Sequence, residues 1–202
     1  MRARPRYHHG DLRQALLRSV ERIIQKRGIA FVSLREVARD ARVSHSAPAH
    51  HFGNKAGLLT AFAAQGFERL FVLIEAELKR SGARAAPDVL EATGRAYVRF
   101  ALSHPEQFGV MFRSELLDAS SPEYAEAADR AYGLLRATVK RCVDEGHVAV
   151  SDVEGTTAAA WSIAHGFAAL WIGGRLPARI GGDPEKLAAR VLRAFVDGVV
   201  RA

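Results

Sequence analysis

Hydrophobic residues recur at helical spacing along most of the chain. In the first segment, from Asp11 to Lys26, one face carries Leu12, Leu16, Val20, Ile23 and Ile24. A longer segment, which has Asn54 as its cap and runs to about Lys79, repeats the pattern with Phe67, Leu70, Phe71, Ile74 and Leu78. Aliphatic residues and Ala dominate, and no run alternates between apolar and polar residues as a half-buried strand would. The pattern therefore predicts an all-α protein.

Capping residues and prolines predict where the later helices begin. Pro87 opens a helix that His104-Pro105 interrupts, and a short apolar segment follows. Pro122 begins the next helix, which ends near Gly146. Two final helices are predicted, one capped by Asp152 and running to about Trp171, the other opened by Asp183-Pro184.

Residues 33–52 differ from these long segments because they form two short helices joined by a tight turn. Ser33 is the N-cap of the first, which buries Leu34, Val37, Ala38 and Ala41 and ends near Arg42. Ser44 is the predicted N-cap of the second, which runs through Phe52. This second helix has few apolar residues, so most of its surface must meet water or a polar partner. The arrangement is a helix-turn-helix.

The stretch from Ser33 to Phe52, followed by Gly53-Asn54-Lys55-Ala56-Gly57-Leu58-Leu59, resembles the DNA-binding segment of the TetR family of bacterial transcriptional regulators. In that family the recognition helix ends in an aromatic-His-aromatic-Phe group and a Lys follows. The stretch Trp161 to Trp171 is also similar to the Trp-His-Gly signature of one subgroup of TetR C-terminal domains. The resemblance implies an N-terminal arm and three-helix DNA-binding domain (1–57), joined by a long helix to a C-terminal helical bundle (58–202) for ligand binding and dimerisation.

The net charge of +7 belongs to the N-terminal part of the chain. Residues 1–57 hold twelve Lys or Arg against four acids, whereas residues 58–202 hold seventeen against eighteen. Such an asymmetry is typical of a nucleic-acid-binding end on a neutral body, although a solvated basic face with no partner would look the same. The arm with Arg4 and Arg6 either reaches DNA or is a solubilising tail.

The helix-turn-helix and the residues around it supply the candidate DNA contacts. Pro48 removes one backbone donor from the recognition helix, and Ala49 replaces the aromatic of the family pattern, so the phosphate contact of that aromatic is missing. Lys55 opposes the helix dipole at a helix start, which costs up to about 1 kcal/mol unless a phosphate compensates. The predicted DNA-binding residues are Arg4, Arg6, Ser33, Arg42, Ser44, His45, Ser46, Ala49, His50, His51 and Lys55.

The remaining helices concentrate aromatic residues and Met, which line apolar pockets but also fill ordinary cores. With the family resemblance, the predicted ligand-binding residues are Tyr97, Phe100, Phe108, Met111, Phe112, Leu135, Trp161 and His165. His165 faces the pocket, the dimer interface or the core. The resemblance also implies a four-helix dimer interface from the last two helices, with Ala164, Ala168, Trp171, Leu187, Val191, Ala194, Phe195 and Gly198. The long helix after Asn54 is either a mechanical link or a passive connector.

Several function classes find no support in the sequence. No nucleophile with a base, no paired carboxylates and no metal-ligand spacing are present, so we expect no enzyme, cofactor or metal site. Neither a signal peptide nor a run of apolar residues long enough to span a bilayer is found, and Cys142 has no partner cysteine, so we expect a cytoplasmic protein that binds no membrane. The leading hypothesis is a homodimeric repressor that leaves a palindromic operator when an unknown small molecule binds. The alternative is a dimeric DNA-binding protein without an effector.

Overall fold

The computed structural model describes residues 9–148 and 152–199. Arg4 and Arg6 lie outside the described residues. The described chain forms α-helices, two short 3-10 helices (Ile29–Phe31 and Ser114–Leu116) and connecting turns, so the all-α prediction is confirmed. The α-helices are α1 (His9–Arg27), α2 (Leu34–Ala41), α3 (Ala47–Phe52), α4 (Lys55–Ser81), α5 (Ala86–Ser103), α6 (Pro105–Met111), α7 (Pro122–Asp144), α8 (Val153–Ile172) and α9 (Pro184–Val199).

The chain packs into two compact units. The first contains the described residues up to Gly66 together with Glu106–Ala125, and the second contains Phe67–Pro105 together with the described residues from Glu126 onward. The boundary falls inside α4, which is one continuous helix of 27 residues. The functional boundary predicted after residue 57 stays a prediction.

The core of the first unit confirms the predicted face of α1. Leu16 and Val20 are fully buried, Ile23 is nearly so, and α1 packs against α2 through this face. Val37 and Ala38 supply the buried face of α2. Three helices can share one small core in this way because each contributes only one apolar stripe.

The start of the third helix differs from its prediction. Ser44 is not the N-cap: α3 begins at Ala47, Ser46 occupies the cap position, and the Ala47 N–H donates to the Ser44 carbonyl in a preceding turn. Pro48 consequently lies in the first turn of α3. The first N–H groups of a helix have no partner within it, so a proline at this position costs no hydrogen bond.

Residues 106–125 are anchored to the first half of α4. The backbone N–H of Asp118 donates to Thr60 Oγ1 at 2.8 Å, and the fully buried Gln107 side chain donates to the Phe62 carbonyl at 3.1 Å. A Cβ atom on Gly66 would lie 2.5 Å from Met111 Sδ, so the two segments approach closely there.

In the second unit, α5 packs against both α8 and α9. A buried cluster at its centre contains Ala86, Leu90, Val139, Cys142, Ala160 and Val196. The Cys142 thiol is fully buried, and that burial raises its pKa, as expected for a small core residue. The predicted caps of the last two helices are confirmed, because the Asp152 carboxylate accepts from the Gly155 N–H and the Asp183 carboxylate accepts from the Glu185 N–H.

The prediction that no segment is long and apolar enough to span a bilayer is wrong for α4 by length and composition, since its most apolar window has a mean hydropathy of 1.4. Within the structure 61% of that window is buried. Burial of this extent is ordinary for the central helix of a soluble protein. The apolar character of α4 is therefore accounted for by packing.

Candidate nucleic-acid interface

The ends of α2 hold the helix-turn-helix in place. Ser33 Oγ accepts from the Glu36 N–H at 3.2 Å, which confirms Ser33 as the N-cap. Arg42 follows the last residue of α2 in the left-handed conformation, with φ of 57°. This conformation ends the helix and turns the chain toward α3. The Arg42 side chain is exposed to solvent immediately before the turn.

The helix α3 presents one continuous exposed face. Ser44, His45, Ser46, Ala49 and His50 are all exposed, although the first three precede the helix in the turn. The hydroxyl oxygens of Ser44 and Ser46 lie 3.3 Å apart and share a hydrogen bond. Five of the predicted DNA-binding residues are therefore exposed on α3 and on the turn before it, while their contacts with DNA stay predictions.

The opposite face of α3 is attached to the first unit. Pro48 is buried, while His51 and Phe52 are half-buried, and the rings of His51 and Phe52 lie 6.0 Å apart. The guanidinium carbon of Arg13 lies 5.7 Å from the centre of the Phe52 ring. Sequence reasoning assigned no role to Arg13, because nothing local in α1 marks a contact with α3.

A tight connection of two residues leads from α3 into α4. Gly53 has a φ of 71°, and its N–H donates to the Ala49 carbonyl at 2.8 Å. Asn54 Oδ1 accepts from the Gly57 N–H at 2.9 Å, which confirms Asn54 as the cap of α4. Lys55 is therefore the first residue of α4, and its side chain is exposed.

Gly57 allows the end of α3 to approach α4. A Cβ atom at this position would lie 2.2 Å from the Phe52 carbonyl oxygen, well inside any tolerable contact. Glycine in the first turn of a helix costs up to about 1 kcal/mol relative to alanine, so its presence needs a packing reason. The reason here is the contact with Phe52, which sequence reasoning missed.

The two acids of α2, Glu36 and Asp40, are engaged in ion pairs. Asp40 accepts two hydrogen bonds from Arg22, and Glu36 pairs with Arg27 and Arg39. Burial alone would raise the pKa of Asp40, but the hydrogen bonds from Arg22 and Ser19 outweigh it and lower that pKa. Arg35, Arg42 and Lys55 are exposed and form no ion pair within residues 9–148 and 152–199. Their charge is therefore available to an anionic partner.

In the second unit the structure joins three of the predicted ligand-binding residues. The buried Tyr97 hydroxyl accepts from Trp161 Nε1–H at 3.3 Å and lies 2.8 Å from His165 Nδ1. Burial raises the pKa of Tyr97 and lowers the pKa of His165, so the neutral forms of both side chains are favoured in this hydrogen bond. The ring of Tyr132, missed in the sequence, lies 6.0 Å from that of Trp161.

The other predicted ligand-binding residues are divided. Phe100 is fully buried and Leu135 packs against the core cluster of the second unit. Phe108, Met111 and Phe112 belong instead to the first unit, where the rings of Phe108 and Phe112 lie 5.6 Å apart. Ligand contacts for these residues stay predictions.

The predicted dimerisation residues also separate by exposure. Ala164 and Ala168 are buried inside the protomer, and their part in a dimer interface stays a prediction. Ala194 and Gly198 are exposed, while Trp171, Leu187, Val191 and Phe195 are half-buried. Leu170 and Ile172, at the end of α8, are 48% and 40% exposed and were missing from the prediction.

Two family models match the chain. Residues 16–62, which span most of α1 and the whole helix-turn-helix, match the model of bacterial regulatory proteins of the tetR family. Residues 90–195 match the model described as the tetracyclin repressor-like C-terminal domain. The chain belongs to the TetR family. It is thus a TetR-type transcriptional regulator whose DNA-binding element is the α2-turn-α3 region.

Solved structures agree with the TetR assignment. A protein of unknown function from Rhodococcus sp. RHA1 is 31% identical, with a TM-score of 0.82 and coverage of 98% of this chain and 100% of that one. A tetR-family regulatory protein from Rhodococcus RHA1 is 21% identical, with a TM-score of 0.75 and coverage of 95% and 98%. FadR from Bacillus subtilis, solved in complex with stearoyl-CoA, shares the fold at 14% identity, with a TM-score of 0.74 and coverage of 92% and 98%. No curated protein matches the chain.

Proposed function

We propose that this TetR-family regulator is a homodimeric repressor that binds a palindromic operator and leaves it when a small molecule binds the C-terminal domain. The exposed face of α3, with Lys55 beside it at the start of α4, carries the proposal. Two such faces in a dimer would enter major grooves one helical turn or a multiple of it apart.

The chemistry of the α3 face is suited to reading bases. Histidine rings and serine hydroxyls both form hydrogen bonds with base edges, so His45, His50, Ser44 and Ser46 suit the mixed donor and acceptor edges of the major groove. Ala49 offers a methyl group, which fits the methyl of thymine. Arg42 and Lys55 would add salt-dependent contacts with phosphates on either side.

Exposed apolar residues on α8 support the homodimer. Leu170 and Ile172 lie at the end of the helix, and Ala158 and Ala169 are exposed on it. A helix face of this kind is costly in water and is usually covered. We propose that it joins the exposed residues of α9, Ala194 and Gly198, in a four-helix interface. Sedimentation velocity at micromolar concentration should then give a mass of about twice 22.0 kDa.

We propose that the ligand binds next to Tyr97, Trp161 and His165. Their aromatic rings and the buried Tyr97 hydroxyl resemble the lining of small-molecule sites. To lower the affinity for the operator about a hundredfold, the ligand must prefer the non-binding state by about 3 kcal/mol.

We also propose that Trp161, His165 and Gly166 place the domain in the Trp-His-Gly subgroup, and that the protein is cytoplasmic.

The same cluster favours a second candidate, a dimeric DNA-binding protein without an effector. Tyr97 already satisfies Trp161 and His165, so no ligand is needed to complete these hydrogen bonds. Thermal unfolding against a library of small apolar and cationic compounds separates the two. Saturable stabilisation by a compound that also lowers operator affinity supports an effector, whereas a library without such a compound supports the second candidate.

The central test is fluorescence anisotropy of the purified protein against duplexes from the region upstream of its own gene, with scrambled duplexes as control, over a range of salt concentrations. We expect at least one duplex to bind about a thousandfold more tightly than its scrambled form. Equal affinity for all duplexes, before and after refolding to remove a bound ligand, would contradict sequence-specific regulation.

Lys55 should contribute affinity without specificity. Lys55→Ala is expected to weaken binding to specific and scrambled duplexes by similar factors and to lower the magnitude of the salt slope by about 1 per protomer, because one phosphate contact is lost. Lys186→Ala is the matched control, since Lys186 is also an exposed lysine in the first turn of a helix, α9. An unchanged slope in Lys55→Ala would remove Lys55 from the interface.

A further inference from the structure

Six side chains of alternating charge form a continuous chain across three helices of the second unit. We call it the Glu77 network, and it runs in the order Glu185, Arg99, Glu77, Arg95, Glu91 and Arg193. Glu77 belongs to α4, Arg95, Arg99 and Glu91 to α5, and Glu185 and Arg193 to α9. None of these residues falls in the DNA-binding, ligand-binding or dimerisation sets.

Glu77 is the node of this network. One carboxylate oxygen accepts from Arg99 at 2.8 Å, and the other accepts from Arg80 of its own helix at 2.6 Å. Arg99 extends from Glu77 to Glu185, which it meets at 2.9 Å. Arg95 stands 3.8 Å from both Glu77 and Glu91. A single carboxylate on α4 thus connects that helix to α5 and, through Arg99, to α9.

The location of Glu77 is unusual for a charged residue because only 3% of it is exposed. Burial alone would raise its pKa, but the hydrogen bonds from Arg80 and Arg99 outweigh that effect and hold the pKa below its ordinary value. Apolar side chains in place of a buried ion pair are often as stabilising or more so. A buried carboxylate with several fixed partners therefore contributes mainly to geometry. Its hydrogen bonds hold the partner side chains, and the helices that carry them, in defined directions.

The contact between α5 and α9 is fixed by a different means. A Cβ atom on Gly94 would lie 2.8 Å from a methyl carbon of Leu192, so α5 and α9 approach closely at this point. Gly94 lies between Glu91 and Arg99 on α5, in the middle of the network. Close packing sets the distance between α5 and α9, while hydrogen bonds in fixed directions attach α4 to this pair.

We propose that Glu77 is a positioning residue that sets the direction of α4 against α5 and α9, and through it the spacing of the two DNA half-sites that the dimer recognises. The proposal rests on the proposed function, since it requires a homodimer on a two-part operator. The mechanical reason is that α4 is uninterrupted from Lys55 to Ser81. Lys55 and Glu77 therefore lie on one continuous helix.

The test uses an operator selected by the wild-type protein from a pool of random duplexes. Duplexes with one or two base pairs inserted or removed between the half-sites are then compared by anisotropy. For the wild type we expect a clear optimum of spacing. For Glu77→Gln, which keeps the size of the side chain but removes its charge, we expect the affinity ratio between the optimal and the shifted spacings to fall by about fivefold or more.

Two controls separate positioning from stability. Glu68→Gln removes a charge from the same helix, where Glu68 pairs with Arg130 in a half-exposed position, and should leave the ratio unchanged. Val139→Ala makes a cavity in the core and should lower Tm without changing the ratio. If Glu77→Gln does not fold, Arg99→Gln breaks the same link from a partner that is 32% exposed.

Each result has one meaning. A fall in the ratio for Glu77→Gln or Arg99→Gln that neither control shows supports the proposal. The wild-type ratio in Glu77→Gln, or in Arg99→Gln if Glu77→Gln is unfolded, overturns it while leaving the proposed function intact. A wild type without any spacing optimum would overturn the two-part operator itself and, with it, the role of Glu77.

Discussion

Replacing His50 by Ala is expected to lower the affinity for the operator by about thirtyfold to twenty-thousandfold. A well-placed side chain on a base edge contributes about 1–3 kcal/mol of discrimination, and a dimer loses it twice. His50 is the residue on the exposed face of α3 best placed for this role, because it lies within the regular helix, whereas His45 lies in the turn before it.

The loss should be one of specificity. His50 is exposed, so its removal leaves the core intact and should change the free energy of unfolding by less than about 0.5 kcal/mol. Anisotropy titrations with operator and scrambled duplexes should show a large loss for the operator and little change for the control. The salt slope should stay as it is, because a side chain that contacts a base edge and no phosphate displaces no counterion.

His147→Ala is the matched control for His50→Ala. His147 is a histidine of intermediate exposure in the second unit, and its removal should leave both affinities unchanged. Equal weakening on operator and scrambled duplexes in His50→Ala, together with a flatter salt slope, would make His50 a phosphate contact. Unchanged binding on both would remove it from the interface.

Local chemistry made much of the fold predictable. The caps Ser33, Asn54, Asp152 and Asp183 were all read correctly, because a capping side chain bonds an N–H only two or three residues away. The family resemblance could be recognised for the same reason, since the turn, Phe52 and Lys55 are close together in the sequence. The same locality explains the error at α3, where both Ser44 and Ser46 are suitable caps. The structure selects Ser46, which puts Pro48 in the first turn.

Features that depend on distant parts of the chain could not be read in this way. Thr60 and Asp118 are 58 residues apart, and nothing in either segment indicates that one accepts a hydrogen bond from the other. Glu77 has the sequence context of an exposed residue on a long helix, yet its burial depends on Arg99, 22 residues later, and on Arg80. Which residues belong to each candidate site stays a prediction for the same reason: binding surfaces are formed by residues that are distant in the sequence.

Gly57→Ala is expected to weaken operator binding at least about a hundredfold while the protein remains helical. The new Cβ would lie 2.2 Å from the Phe52 carbonyl oxygen, and a backbone atom cannot turn aside as a flexible side chain can. The end of α3 must move away from α4, which displaces the face that carries His50 and Ala49 from Lys55. Overpacking of this kind costs about 1–3 kcal/mol of stability. A loss of about 3 kcal/mol in aligned contacts accounts for the hundredfold change.

Gly133→Ala provides the comparison that isolates this clash. Gly133 is an exposed helical glycine of α7, and a Cβ there meets nothing within 4 Å, so the substitution should stabilise the protein by up to about 1 kcal/mol and leave binding unchanged. Circular dichroism and thermal unfolding check the fold of both variants, and anisotropy measures their binding. Wild-type affinity in Gly57→Ala would mean that the junction of α3 and α4 yields without moving the DNA-reading face. The close approach at Phe52 would then serve stability alone, because the orientation of α3 would be set by the buried Pro48 and the half-buried Phe52 instead.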